Sequence, residues 1–150
     1  MNAASNANAT MTKFGYPHSV VAEYSQWVVQ LRPRQVTLGA LVLICKAEAR
    51  AFHEIGGAAF RELERVTTDI EATLTKLVAY ERINYLMLMM VDPDVHFHVI
   101  PRYSGTRRLD AIELADPAWP GPPDLKGGLD VDGALRNALV TLLRDAWPSV

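Results

Sequence analysis

The run Asp94-Val95-His96-Phe97-His98-Val99-Ile100-Pro101-Arg102-Tyr103 holds two of the chain's four histidines, two positions apart. Read as a strand, its side chains alternate faces, so Asp94, His96 and His98 point one way and Val95, Phe97 and Val99 the other. One face anchors the strand in a core. The other presents titratable groups. A surface or hydrogen-bonded structural role is the ordinary reading of a lone histidine, but a same-face pair beside an aspartate suits two kinds of chemistry. Asp-x-His-x-His can supply three ligands to iron or zinc. Alternatively, a neutral imidazole with a pKa near about 6.5 can attack phosphorus, provided one ring nitrogen is free and the other is held by a hydrogen bond. Donors must then stabilise the charge that builds on the phosphoryl oxygens. His96 as nucleophile and His98 as the phosphate-side donor meet those requirements. His18 and His53 lie far away in sequence and read as surface residues. No second His or Cys cluster supports a metal, so phosphorus chemistry ranks ahead of it.

Elements on both sides must position that strand. Trp27–Leu31 reads as a strand stopped by Arg32-Pro33-Arg34-Gln35, because proline donates nothing to a ladder. Thr37–Cys45 follows as a second strand; its unbroken run Ala40-Leu41-Val42-Leu43-Ile44 predicts cover on both faces. After Gly56-Gly57, the residues Phe60, Leu63, Val66, Ile70, Leu74, Leu77 and Val78 recur every three or four positions. This predicts an amphipathic helix from about Gly57 to Ala79. Arg82–Val91 reads as a third strand, and the Asp92-Pro93-Asp94 turn makes the histidine strand antiparallel to it. The Pro-, Gly- and Asp-rich stretch Arg107–Asp130 reads as surface loop. Leu129–Trp147 closes the chain as a helix with Leu135, Leu139, Leu142 and Leu143 on its apolar face. Mixed helices and antiparallel strands make the fold class α+β.

The chain has 150 residues, 49% of them apolar, and a formal charge of −2. That is enough for one domain with a core. The charge balance gives no basis for nucleic-acid wrapping or a polybasic membrane contact. No apolar run approaches the roughly 20 residues of a membrane span. Met1–Thr12 has neither the basic start nor the apolar stretch of a signal peptide. Residues 1–14 therefore read as a flexible tail and 15–150 as a single domain. Cys45 is the lone cysteine and sits in an apolar run. It reads as an inert buried thiol, consistent with a cytoplasmic location.

At these residues the chain resembles a known family. His96-Phe97-His98-Val99-Ile100-Pro101-Arg102 resembles the signature of the histidine triad (HIT) superfamily. Ile83-Asn84-Tyr85, Leu88 and Pro93 resemble its short-loop branch of dinucleoside polyphosphate hydrolases, as does Asp116-Pro117-Ala118-Trp119-Pro120-Gly121-Pro122. The resemblance spans Trp27 to Pro122. It implies a HIT-like antiparallel sheet with a long helix packed on it and a C-terminal helix. It also implies a homodimer that acts on nucleotides at the α-phosphate, on dinucleoside polyphosphates or nucleoside phosphoramidates, through a nucleotidyl-histidine intermediate on His96. His98 would assist. Asp94, Asn84, Arg102 and Trp119 are the candidate substrate and phosphate contacts. No metal or other cofactor is required, although a divalent cation can accompany the nucleotide.

Three departures stand out. Asp94 occupies the position of the first triad histidine (Gln in many short-loop members). Met89-Met90 replaces a Gly-Asn pair whose amide holds phosphate, and Gly39-Ala40 replaces Gly-His. An ionised Asp94 cannot donate to phosphate and would repel it, unless it serves to hold an imidazole proton. These departures keep two alternatives open: a nucleotide-binding chain with weakened catalysis, and a metal site on Asp94, His96 and His98.

Overall fold

The computed structural model describes residues 6–149. The main sheet is antiparallel with strand order β1-β2-β4-β6-β5, from β1 (Val20–Glu23), β2 (Trp27–Leu31), β4 (Leu41–Cys45), β5 (Arg82–Leu86) and β6 (His96–Arg102). The histidine strand β6 lies between β4 and the edge strand β5. Ile44 pairs with His96 and Val42 with His98 across one ladder, and Leu86 pairs with His98 across the other.

The two faces of this sheet are covered differently. Trp27, Val29, Leu31, Leu41, Leu43, Val99 and Tyr103 pack in the main core with Val66, Ile70 and Leu74 of α2 (Gly57–Val78) and Leu139 and Leu143 of α3 (Gly133–Ala146). Helix α2 follows the expected period and ends at Ala79, whose left-handed φ of 51° closes the last turn. The α+β expectation, with a long helix on the sheet and a helix near the C-terminus, is met. Phe60 departs from the helix-face reading: it is 42% exposed and stacks on Phe52 instead of entering the core. Leu135 likewise stays exposed.

The opposite face carries Val28, Val42 and Ile44 together with His96 and His98, and it is covered by α1 (Ala9–Lys13) and Phe14. This differs from the flexible-tail reading of residues 1–14. Asn8 caps α1 by accepting from the Met11 N–H at 2.9 Å, and its amide donates to the Cys45 carbonyl at 2.9 Å. Met11 and Phe14, three positions apart, drop onto the sheet. Burial of those two side chains supplies the stabilisation that the polar composition of the segment conceals. Residues 1–5 of that reading lie outside the described residues.

Other expectations shift at their edges. Strand β5 stops at Leu86, so Met87–Val91 belongs to the loop that leads into β6. The stretch read as surface loop contains a hairpin, β7 (Thr106–Leu109) with β8 (Ile112–Ala115). Leu129–Asp130 is not helical; as β9 it pairs with β3 (Arg34–Gln35). Gly128 makes that pairing possible: a Cβ there would sit 2.1 Å from the Gln35 carbonyl oxygen.

Candidate active site

His96 begins β6, and its ring is fixed from below by its own chain. Nδ1 lies 2.6 Å from the backbone carbonyl oxygen of Asp94. A carbonyl only accepts, so Nδ1 carries the proton and Nε2 keeps its lone pair. That is the state required of a nucleophile. The Asp94 carboxylate takes no part in this. Its Oδ2 accepts from the Thr10 N–H at 3.2 Å and the Thr10 hydroxyl at 3.0 Å. The residue that departs from the triad pattern thus latches α1 to the β6 entrance, and it is 2% exposed.

His98 has the opposite tautomer. The Arg32 Nε–H donates to its Nδ1 at 3.2 Å, so Nδ1 is the acceptor and the proton sits on Nε2. The two rings stand edge to face with centroids 5.2 Å apart. Phe14 packs on both, at 6.1 Å from His96 and 5.9 Å from His98. His96 is 2% exposed, whereas His98 lines a cleft.

That cleft has a volume of about 560 Å³. Its basic lining is Lys13, Arg32, Arg34 and Lys126, and Phe14, Leu88, Val91 and Leu125 supply its apolar walls. Asp92, also in the lining, pairs with Lys13, and Arg34 pairs with Asp130. Among the described residues, Arg32 and Lys126 have no carboxylate partner. Arg32 is half-buried, so its charge is left without compensation beside a hollow.

Burial pushes the His98 pKa down from 6.5 to about 4, with the Arg32 charge and His96 adding to the effect. The unfolded chain takes up this proton near pH 6.5, and the folded chain only near pH 4. His98 therefore costs the fold nothing above about pH 6.5 and imposes a penalty that grows as pH falls towards 4, reaching about 3 kcal/mol. Urea titrations across that window should show a steep fall for the parent and a flatter one for His98→Gln. Parallel curves would show that His98 titrates normally.

The other candidates gather in a second cleft of about 450 Å³ on the same sheet face, lined by Arg82, Asn84, Leu86, Arg102 and Trp119 with the Pro120–Pro123 turn. Arg102, expected at a phosphate, has its guanidinium occupied. Its Nε and Nη2 donate to Asp116 at 2.6 and 3.2 Å, Nη1 donates to Asn84 Oδ1 at 2.9 Å, and Nη2 also reaches the Gly121 carbonyl at 2.8 Å. Asn84 thereby spends its acceptor on Arg102. The six named residues therefore fall into three places: His96 and Asp94 under α1, His98 on the basic cleft, and Asn84, Arg102 and Trp119 around the second.

The Asp94 carboxylate turns to Thr10. Among the described residues no three of His, Cys, Asp or Glu come together to hold an ion. Met89 and Met90 lie in the loop after β5, and Met90 is 84% exposed. Among the described residues no helix is long and apolar enough to cross a membrane.

Sequence reasoning missed Arg32, Phe14 and Thr10. Arg32-Pro33-Arg34 reads as strand punctuation, yet two cations flanking a rigid residue at a strand end were a visible signal. Met11 and Phe14 formed an apolar pair inside a polar stretch, a weaker one.

No protein-family model matches the sequence, and no curated protein matches it. Solved structures do match. A histidine triad protein from Sinorhizobium meliloti 1021 superposes with a TM-score of 0.71 at 20% identity, over 93% of this chain and 94% of that one. A hypothetical histidine triad nucleotide-binding protein from Sulfolobus tokodaii gives 0.63 at 18% identity, over 85% and 82%. A zinc-bound histidine triad family protein from Mycobacterium smegmatis gives 0.58 at 17% identity, over 91% and 88%. At these identities the likeness establishes the fold: this chain has the histidine triad fold.

Proposed function

We propose that this chain is a nucleotide hydrolase or nucleotidyl transferase that acts at the α-phosphate through His96. The observation that carries this reading is the Nδ1 contact to the Asp94 carbonyl oxygen at 2.6 Å, which leaves Nε2 as a lone-pair nucleophile. Support also comes from the fold, since a solved relative in shape is described as nucleotide-binding. In the first step Nε2 attacks the α-phosphorus and a P–N bond forms. The P–O or P–N bond to the leaving group breaks, and that group departs with the bonding pair and takes up a proton. Water, or another acceptor, then attacks the same phosphorus. The P–N bond breaks, the imidazole regains its lone pair, and a nucleoside monophosphate or its ester is released with one proton to solvent. The substrates are dinucleoside polyphosphates or nucleoside phosphoramidates. The chemistry uses no resident cofactor, and a divalent cation enters only with the nucleotide.

Burial of His96 under Phe14 favours a second reading, a nucleotide-binding chain with little turnover. One experiment separates the two. Adenosine phosphoramidate and diadenosine polyphosphates are supplied to the purified protein and to His96→Ala, and AMP binding is measured by calorimetry. Turnover that His96→Ala reduces at least about a thousandfold supports the enzyme. AMP binding with equal background turnover supports the second reading, and no binding rejects both.

The same proposal includes a homodimer in the cytoplasm. Strand β5 is a sheet edge, and the loop beyond it exposes Leu88, Met90 and Val91. An open edge beside apolar side chains is a pairing surface. Sedimentation should give a dimer for the parent and a monomer for Met90→Asp with Val91→Asp; a monomeric parent rejects the dimer.

A further inference from the structure

Arg32 is the one half-buried cation on the His98 cleft with neither a carboxylate partner nor a role in holding the fold through an ion pair. Its backbone is tied down: its N–H donates to the Ala40 carbonyl at 3.0 Å, and Gln35 Nε2 donates to the Arg32 carbonyl at 2.7 Å. Its side chain is tied as well, through Nη1 to the Arg34 carbonyl at 2.8 Å and Nε to His98 Nδ1 at 3.2 Å. Among the described residues Nη2 donates to nothing. A guanidinium keeps its protons at any working pH, so the partner nitrogen of His98 must be the bare one.

We propose that Arg32 is a positioning residue: it holds His98 as the Nε2–H tautomer, and the pair presents one fixed charge and one neutral donor to a single phosphate group. The inference rests on the nucleotide reading and adds to it the residues that grip the anion. It also accounts for the missing cradle. The chain lacks the amide of the Gly-Asn pair and the first triad histidine, and an arginine reaching in from the end of β2 supplies donors that neither Met89-Met90 nor Asp94 can offer. The groups facing His98 are Arg32, His96 on its own strand, Lys13 from α1 and Asp92 from the loop before β6. Three of these are cations or histidine and one is a carboxylate. Burial, Arg32, His96 and Lys13 keep the ring neutral against the opposing pull of Asp92, so the positive charge at the anion belongs to Arg32 and does not titrate near neutrality.

The test is nitrogen NMR on the full-length protein labelled with 15N-histidine, run beside AMP and inorganic phosphate titrations. In the parent, His98 should show a bare Nδ1 and a protonated Nε2 at pH 7.5. Arg32→Ala should mix the two tautomers, move the His98 titration up towards 6.5, and weaken AMP at least about tenfold, the usual effect of losing a charged hydrogen bond. Arg32→Lys keeps a charge but not the fork, and should recover part of the affinity without restoring the single tautomer. Circular dichroism on each variant checks that it folds; the Arg32→Gln variant stands in if Arg32→Ala does not. A parent His98 with its proton on Nδ1 would overturn the proposal, as would His98 signals or AMP affinity unchanged by loss of Arg32. Phosphate separates this inference from the nucleotide reading. If nucleotides neither bind nor turn over, but phosphate shifts the His98 signals in the parent and not in Arg32→Ala, the reading fails and the Arg32–His98 grip stands. Equal phosphate response in both variants overturns the grip, whatever the nucleotide result.

Discussion

Asp116→Ala should lower the unfolding free energy by about 3–5 kcal/mol, read as a large drop in the urea midpoint with little change in slope. The side chains of Arg102 and Asp116 are 5% and 1% exposed, and they meet through two hydrogen bonds. Removing the carboxylate strands a guanidinium that is almost wholly buried at the floor of the second cleft, and the cost lies in that uncompensated charge. The damage spreads because Asp116 Oδ1 also accepts from the Ala118 N–H at 3.2 Å, which shapes the turn carrying Trp119. Arg102→Lys should be costly too, since an ammonium cannot fork onto Asp116 while reaching Asn84 and the Gly121 carbonyl. By contrast, the joint change Arg102→Met with Asp116→Leu removes both charges and should cost much less than either single loss. A single-site loss below about 1 kcal/mol would mean that water reaches the freed partner. The segment Asp116–Pro122 resembles a family motif, and its structural work here is to close the second cleft by clamping on the end of β6.

Phe14→Ala should have two effects at once. Deleting a packed phenyl ring costs about 3 kcal/mol or slightly more. It also uncovers His96, whose ring Phe14 now touches. Diethyl pyrocarbonate with peptide mapping reads the second effect directly. His18 and His53 are exposed and serve as internal standards. In the parent, His96 should react far more slowly than either; in Phe14→Ala it should approach them. Under the enzyme reading, kcat/KM for adenosine phosphoramidate should rise as the ring is freed. If His96 of the parent reacts as fast as His18, the cover opens unaided. Thr10 and Asp94 set the strength of that cover, because their three hydrogen bonds join α1 to the β6 entrance.

The periodicities that were legible were those set by a large apolar core. Helix α2 and strand β6 declare themselves because one face of each must bury apolar groups, and that constraint writes a period into the chain. The run Ala40–Ile44 even announced cover on both sides of β4. It did not say what the second cover was. That turned out to be α1, a five-residue helix too short to carry a period of its own, held by long-range bonds from Asn8 and Thr10. Short pairings such as β3 with β9 left no trace either, since two residues per strand are below the length at which alternation can be read.

The candidate site divides along the same line. Local sequence was sufficient to put His96 and His98 on one face of one strand, because alternation is a property of the strand itself. Which nitrogen of each ring is free was beyond it, because that depends on partners at different sequence distances: Asp94 two residues away for His96, and Arg32 sixty-six residues away for His98. The same holds for Asp94 and Arg102. Their charges could be read from the chain, but Arg102 is paired with Asp116 and Asp94 is turned to Thr10, partners that only folding brings near.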